Sequence, residues 1–243
     1  GTNLHRSPYN ARNHEYYSED AVLTSGQAVA FISGGKEYGV IIAPKHLAFN
    51  DTEINRTGVS VFMTEQQARE NELRGTQAAI EDAGALGVMT AFNRVGITAA
   101  NAHTGLLKNI LRGEWGFKGL ESQDFIMNPN YAVLKEYALN GGTMTTFTGE
   151  NTMAAVSEKF AYWTTENVGQ DTELMSAIKQ AMTWQAYALA NSNALDGMAS
   201  NTKLVSVRTW YDNALTAVQI VFAALTVLAA AMYVLDERKS KKQ

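Results

Sequence analysis

The sequence predicts an α/β chain: a partial (β/α)8 TIM-like barrel followed by one C-terminal transmembrane helix. Short apolar runs alternate with helical patterns, polar residues follow each run directly, and a long uncharged stretch precedes a basic tail. The first two observations argue for parallel strands whose C-terminal ends carry chemistry, and the third for a helix placed in lipid. A doubly wound open sheet gives the same local pattern, so periodicity alone leaves both architectures open.

The strands are read at residues 39–43, 87–91 and 117–122, apolar runs of the length a buried parallel strand needs. Between the first two, residues 65–83 carry small, apolar and charged side chains at helical spacing. Between the second and third, residues 104–112 form a short amphipathic helix ended by Gly113. A further helix over residues 171–190 places Leu174, Ile178, Ala181 and Met182 on one face and stops at Asn191, Ser192 and Asn193. Residues 196–203 are small and polar, as a connector would be.

From Ala214 to Leu235 no charged residue occurs, and the run is long enough at a helical rise to cross about 30 Å of hydrocarbon. A core helix of a soluble protein would normally carry a polar stripe, whereas only Thr216, Gln219 and Thr226 interrupt this surface. Trp210, Tyr211 and Tyr233 sit where interfacial aromatics belong, and a basic tail follows. The positive-inside rule then keeps the tail in the cytoplasm and puts everything before Trp210 outside a single-pass cell membrane.

Composition narrows the function classes. The 243 residues carry a formal net charge of -4, which gives no electrostatic footprint for nucleic acid. Cysteine is absent, which removes disulfides, thiolate nucleophiles and cysteine metal sites. Position 1 is Gly and the first residues have no signal-peptide character, so the chain is expected to begin inside a longer protein.

Polar residues cluster just after the strands: Lys45 and His46, Asn93 and Arg94, Gln123 and Asp124. Barrel enzymes place catalytic groups at such strand ends. A lone Asp there is otherwise a cap or turn residue, and a Lys-His pair is otherwise solvated surface. Both readings stand on these residues alone.

Longer stretches are more specific. Asn3 to Pro8, with Arg12 to Asp20, resembles the N-I-H-R-x-P and G-R-N-x-E-Y-Y-S-E-D signature of family 3 glycoside hydrolases, the β-glucosidase group. Lys45 to Arg56 is similar to that family's K-H-F-x-x-N-x-x-E-x-N-R stretch, Met89 to Asn93 to its M-T-S-Y-N strand, and Leu111 to Gly119 to its L-R-x-E-W-G-F-x-G run. The resemblance spans roughly residues 1–149 and implies a retaining exo-glycosidase, β-glucosidase-like, with a barrel domain. It puts Asp124 at the nucleophile position and Arg12, Lys45 and His46 at sugar-binding positions, with Arg56 and Met89 beside them. A salt bridge from Arg56 to Glu53 or Asp51 is the alternative for that residue. Nearby Lys and Arg are expected to lower the Asp124 pKa.

Departures accompany the likeness. Ala11 replaces the family's usual Gly, and Phe92 stands where many members have a Tyr whose hydroxyl supports the nucleophile. Retaining glycosidases use two carboxyl groups about 5 Å apart, and only Asp124 is assignable here. The run from Tyr187 to Gly197 resembles the end of domain-permuted, membrane-tethered bacterial members, which would put the acid/base and the first barrel strands upstream of Gly1.

The resulting organisation is a partial barrel over residues 1–150, a closing helical segment and connector over 151–200, and the membrane helix with its tail over 201–243. Expected partners are a glycoside or oligosaccharide, the bilayer through Ala214 to Leu235, and the upstream part of the same protein. A membrane-tethered carbohydrate-binding remnant without turnover is the alternative. No organic cofactor is required, and His5, His14 and His103 have no metal-ligand spacing with His46.

Overall fold

The computed structural model describes residues 1–56, 58–125, 133–146, 161, 163–196, 202–203 and 205–240. The chain divides into a unit Gly1–Asp196 and a unit Gly197–Gln243, each described by itself.

In the first unit β1 (Lys45–Leu47), β3 (Gly87–Thr90) and β6 (Leu120–Gln123) form a parallel sheet in that order. Gly87 faces Leu120 and Thr90 faces Gln123, while the β1–β3 register slips between Lys45 and Leu47. The ladder continues on both sides. Thr2 N–H donates to the Lys45 carbonyl at 2.7 Å, and Ser122 bridges Met144 in parallel. The N-terminal segment, β1, β3, β6 and Met144 therefore lie side by side in chain order. Consecutive neighbours without a reversal are the arrangement of a barrel wall, whereas a doubly wound sheet has a switch point where the order turns back. A second small sheet joins β2 (Ser60–Val61), β4 (Arg94–Val95) and β5 (Thr98–Ala99) in the loops beyond β1 and β3.

The first strand begins later than the sequence suggests. Residues 39–43 are not a strand: Gly39 takes a positive φ of 69° and its carbonyl accepts from Asn193 N–H. Pro44 has no N–H to give the ladder, so its carbonyl accepts from Met89 and strand pairing starts at Lys45. The third strand starts at Leu120 rather than Phe117, because Phe117 is a core side chain. Just before it, a Cβ on Gly119 would stand 2.2 Å from the Leu86 carbonyl oxygen, so only glycine permits that approach.

Helices cover the sheet. The helical run over residues 65–83 is found as α2 (Glu65–Gln67), a π-helical stretch Ala68–Glu72 and α3 (Arg74–Glu81). The amphipathic helix is a π-helix, Gly105–Glu114, which passes through Gly113; Gly116, at φ 60°, makes the left-handed turn after it. Its Leu106, Leu107 and Leu111 enter one core with Leu47, Ala79 and Val88. Fully burying a leucine contributes about 1.5–3 kcal/mol, so this layer holds the strand ends in place.

Helix α1 (Ala21–Lys36) is not legible in the periodicity, because apolar residues surround it and Gly26, Gly34 and Gly35 interrupt it. Asp20 caps it by accepting from Leu23 N–H at 2.6 Å, and Ala28 and Ile32 pack into the core. After β6 come α4 (Leu134–Leu139), α5 (Thr165–Gln170) and α6 (Thr172–Ala190). Asp171 caps α6 at 3.0 Å, and Leu174 and Ala181 are buried. Met182 is largely exposed, since the residue after Ala181 is turned about 100° round the helix. Arg112 ties this region together. Its guanidinium donates to the carbonyls of Phe117, Gly119 and Gly141 and lies 3.8 Å from the Trp184 ring.

In the second unit α7 (Trp210–Ser240) is one continuous helix. Trp210–Leu235 is long and apolar enough to cross a membrane. The boundary read at residue 150, and Gly197 with the connector residues 198–201, lie outside the described residues.

Candidate active site

The ends of β1, β3 and β6 are level. Ala91 N–H donates to the Leu47 carbonyl at 2.8 Å and Asp124 N–H to the Thr90 carbonyl at 3.2 Å, so the residues after each strand emerge on one rim. This is the rim where a parallel barrel gathers its chemistry. His46 is 2% and Asp124 8% exposed, and His46 Nε2 lies 3.5 Å from Asp124 Oδ2. The His46 backbone is fixed by Asn3, which donates Nδ2–H to its carbonyl at 2.9 Å and accepts its N–H at 2.8 Å. The ring stands edge-on to Tyr16, 6.4 Å between centroids.

Asp124 has two differently placed oxygens. Oδ1 accepts from Phe125 N–H at 2.8 Å, whereas the buried Oδ2 has no hydrogen-bond partner among the described residues. The carboxylate lines a small recess with Ala91, Phe92, Asn101 and Phe125. Gln123, its other neighbour in the recess, accepts from Asn101 at 2.7 Å.

Arg12, Lys45 and Arg56 form a cationic rim held by two carboxylates. Glu15 binds Arg12 Nε through Oε1 and Lys45 Nζ through Oε2, the latter at 2.9 Å. Glu53 Oε1 lies 3.4 Å from Arg12 Nη1 and 3.1 Å from Arg56 Nη1. The Arg56 guanidinium also covers the Phe92 ring at 4.4 Å. Met89 is half-buried on β3, in register with Lys45 and Ser122. The structure thus brings Asp124, His46, Lys45, Arg12 and Arg56 into one charge-coupled cluster. The Arg56–Glu53 pair read as an alternative is present within it.

The electrostatics correct one expectation. Burial raises the Asp124 pKa above the ordinary value, and the lowering by Arg56, Arg12 and Lys45 only partly offsets it. Proximity of cations was legible in the sequence; the desolvation that outweighs them was not. Burial first, then Arg12 and Lys45, holds the His46 pKa down to about 2, so its ring is neutral rather than a cation. Burial would raise the Glu15 carboxyl, but hydrogen bonds from Arg12 and Lys45 bring it down to about 2.

Sequence reasoning gave no role to Glu15, Tyr16 or Asn3, and named Glu53 only as a salt-bridge partner of Arg56. The signal was their position inside the same motifs as the assigned residues, three apart for Arg12 with Glu15 and for Glu53 with Arg56. A larger apolar groove of about 440 Å3, lined by Phe49, Val61, Met63, Leu73 and Ile110 among others, contains none of the sequence-predicted site residues.

Comparison with known proteins bears on this cluster. A family profile described as the glycosyl hydrolase family 3 N terminal domain matches residues 2–160. A probable beta-glucosidase J of Emericella nidulans is 40% identical over 123 residues, which are 51% of this chain and 14% of that protein. Among solved structures, a beta-glucosidase from Paenibacillus barengoltzii superposes with a TM-score of 0.71 at 27% identity, covering 85% of this chain and 23% of that one. Beta-glucosidase 3B of Thermotoga neapolitana, in complex with α-D-glucose, gives a TM-score of 0.68 at 28% identity, covering 79% and 26%. The chain therefore spans about a quarter or less of the length of these proteins.

Proposed function

The chain belongs to family 3 of the glycosyl hydrolases, and on that premise we propose that the whole protein is a retaining exo-glycosidase acting on terminal, non-reducing β-linked sugars, with β-glucosides as the first candidates. The observation that carries this reading is Asp124 itself. One oxygen is fixed by a backbone N–H, the other has no partner among the described residues, and the carboxylate lies under the influence of Arg56, Arg12 and Lys45.

In this reading Asp124 Oδ2 attacks the anomeric carbon as the leaving oxygen departs and takes a proton, giving a glycosyl ester and releasing the aglycone. Water then attacks the same carbon, giving a proton to the carboxylate that the proton donor has become, and Asp124 leaves as a carboxylate. The cations work against burial to keep Asp124 ionised for the first step. Arg12, Lys45 and neutral His46 hold sugar hydroxyls, and Met89 and Arg56 line the same subsite. The proton donor is a carboxyl from the upstream part of the same protein. Phe92 brings a cation to the site through its face, in place of a hydroxyl.

The same proposal places the protein on a membrane. Trp210–Leu235 spans it once, the basic tail is cytoplasmic and the sugar site is outside. The run Ala214–Leu235, which carries no charged residue, supports that placement.

One observation favours the second reading, a binding module without turnover: the other carboxylates of the cluster, Glu15, Glu53 and Asp51, are all engaged by arginine or lysine. Hydrolysis of an aryl β-glucoside by the full-length protein, followed by NMR of the newly formed sugar, separates the two. Release of β-glucose first supports the retaining enzyme. Release of α-glucose contradicts the nucleophile, and binding of glucose without hydrolysis supports the module.

A further inference from the structure

Glu15 and Glu53 have no part in the bond-breaking steps above, yet they hold every cation of the site. Lys45, Glu15, Arg12, Glu53 and Arg56 form one string of alternating charge, with Glu15 touching both Lys45 and Arg12. Glu15 lies in a short 3-10 turn, Asn13–Glu15, directly after Arg12, whose backbone carbonyl accepts the Glu15 N–H at 3.0 Å. Backbone and side chain thus fix Glu15 relative to Arg12 before Lys45, from β1, reaches the same carboxylate. An unpaired lysine ammonium rotates about four carbon–carbon bonds, and a sugar that binds it has to immobilise it.

We infer that Glu15 is a positioning residue for sugar binding: it holds the Lys45 ammonium and the Arg12 guanidinium in place ahead of the ligand, acting through them and not on the sugar. The inference rests on the reading above, in which Lys45 and Arg12 contact the sugar. Its physical content is pre-organisation. The carboxylate takes one N–H from each cation and leaves two donors on the ammonium and Nη2 of the guanidinium for hydroxyls, while Nη1 of Arg12 lies against Glu53. Glu53 does the same more loosely for Arg12 and Arg56, at 3.4 and 3.1 Å.

The test uses the full chain in detergent micelles and D-glucose as the probe, by titration calorimetry. Glu15→Gln, which keeps the shape and loses the charge, is expected to weaken glucose binding about tenfold. Glu15→Asp, charged but too short to reach both cations, is expected to fall between the two and serves as the readout should Glu15→Gln fail to fold. In a Lys45→Met background the loss from Glu15→Gln should shrink to about threefold, because one of the two groups it positions is gone. Equal affinity in Glu15→Gln and the unsubstituted protein overturns the inference, as does a full tenfold loss that persists beside Lys45→Met. Should the unsubstituted protein bind no glucose, the functional reading fails and this inference falls with it; glucose binding that ignores Glu15 sinks the inference alone.

Discussion

In Gly1–Asp196 the layer beside the strand ends is buried and polar, whereas Trp210–Leu235 in the other unit is a long apolar run. His46, Asn50, Asp51, Asn93, Gln123 and Asp124 are all nearly inaccessible, and several of their polar atoms lack partners among the described residues. Removing such groups from water costs free energy that the leucine layer of the Gly105–Glu114 helix has to offset. Leaving leucines, valines and alanines of α7 in water would be costly in the opposite sense. The contrast teaches that burial and hydropathy separate the two regions: the strand-end layer keeps polar groups out of water, and the proposed function gives it a hydroxyl-rich ligand and gives the apolar run a bilayer.

The largest effect should come from breaking the polar side at its centre. Asp124→Asn is expected to lower glucoside turnover by the full-length protein at least about 10³-fold while glucose binding persists, measured by aryl glucoside kinetics and calorimetry. Normal turnover in that variant removes Asp124 from the mechanism. On the apolar side, deletion from Ala214 onward should move the protein from the detergent phase to the aqueous phase. If the intact chain already partitions into buffer, α7 is not a lipid-facing helix.

Smaller changes sharpen the comparison. Leu111→Ala should cost about 2–5 kcal/mol in denaturant unfolding, because it opens a cavity in the core that Leu111 shares with Leu47 and Val88. A comparable substitution on α7, Leu225→Ala, should leave unfolding of the first unit within about 0.5 kcal/mol.

The buried carboxyls add a pH signature. Glu72 and Glu121 are held up to about 7, in both cases chiefly by burial, from an ordinary value of 4.5. A folded pKa above the unfolded one means the folded state holds its proton more tightly, so the contribution of these two groups to stability is greatest below about pH 4.5 and declines as pH rises towards 7. Glu121→Gln should flatten that decline by on the order of 3 kcal/mol, read from unfolding midpoints across pH. The smallest expected effect is at Arg56: Arg56→Met removes a cation that lowers the Asp124 pKa, and the acid limb of kcat/KM should move to higher pH. A move to lower pH would show that Arg56 does not act on Asp124.

Polar clusters after short apolar runs made Lys45, His46 and Asp124 legible as candidates, while their roles, and Arg12, Arg56 and Met89, came from the resemblance to the family. Asp124 directly follows β6 as expected, whereas Lys45 opens β1 and His46 lies within it rather than after a strand, and Arg12 and Arg56 come from outside the strands. The first strand was read too early because residues 39–43 look apolar, while Pro44 and the positive φ of Gly39 decide where pairing starts. Helix α1 hides its core face among glycines and apolar residues on all sides, and the strands of the second sheet are too short to show an alternation. The Asp124 pKa was misjudged for a different reason. Desolvation is a property of the assembled layer, and neighbours in sequence do not reveal it.

The most direct test of the central claim is to trap the intermediate. Full-length protein incubated with a 2-deoxy-2-fluoro-β-glucoside bearing an activated leaving group should be inactivated with one sugar bound covalently, and peptide mapping should place that sugar on Asp124. A label on any other residue, or hydrolysis that proceeds with no trapped ester, contradicts the assignment of Asp124 and with it the account of the strand-end site.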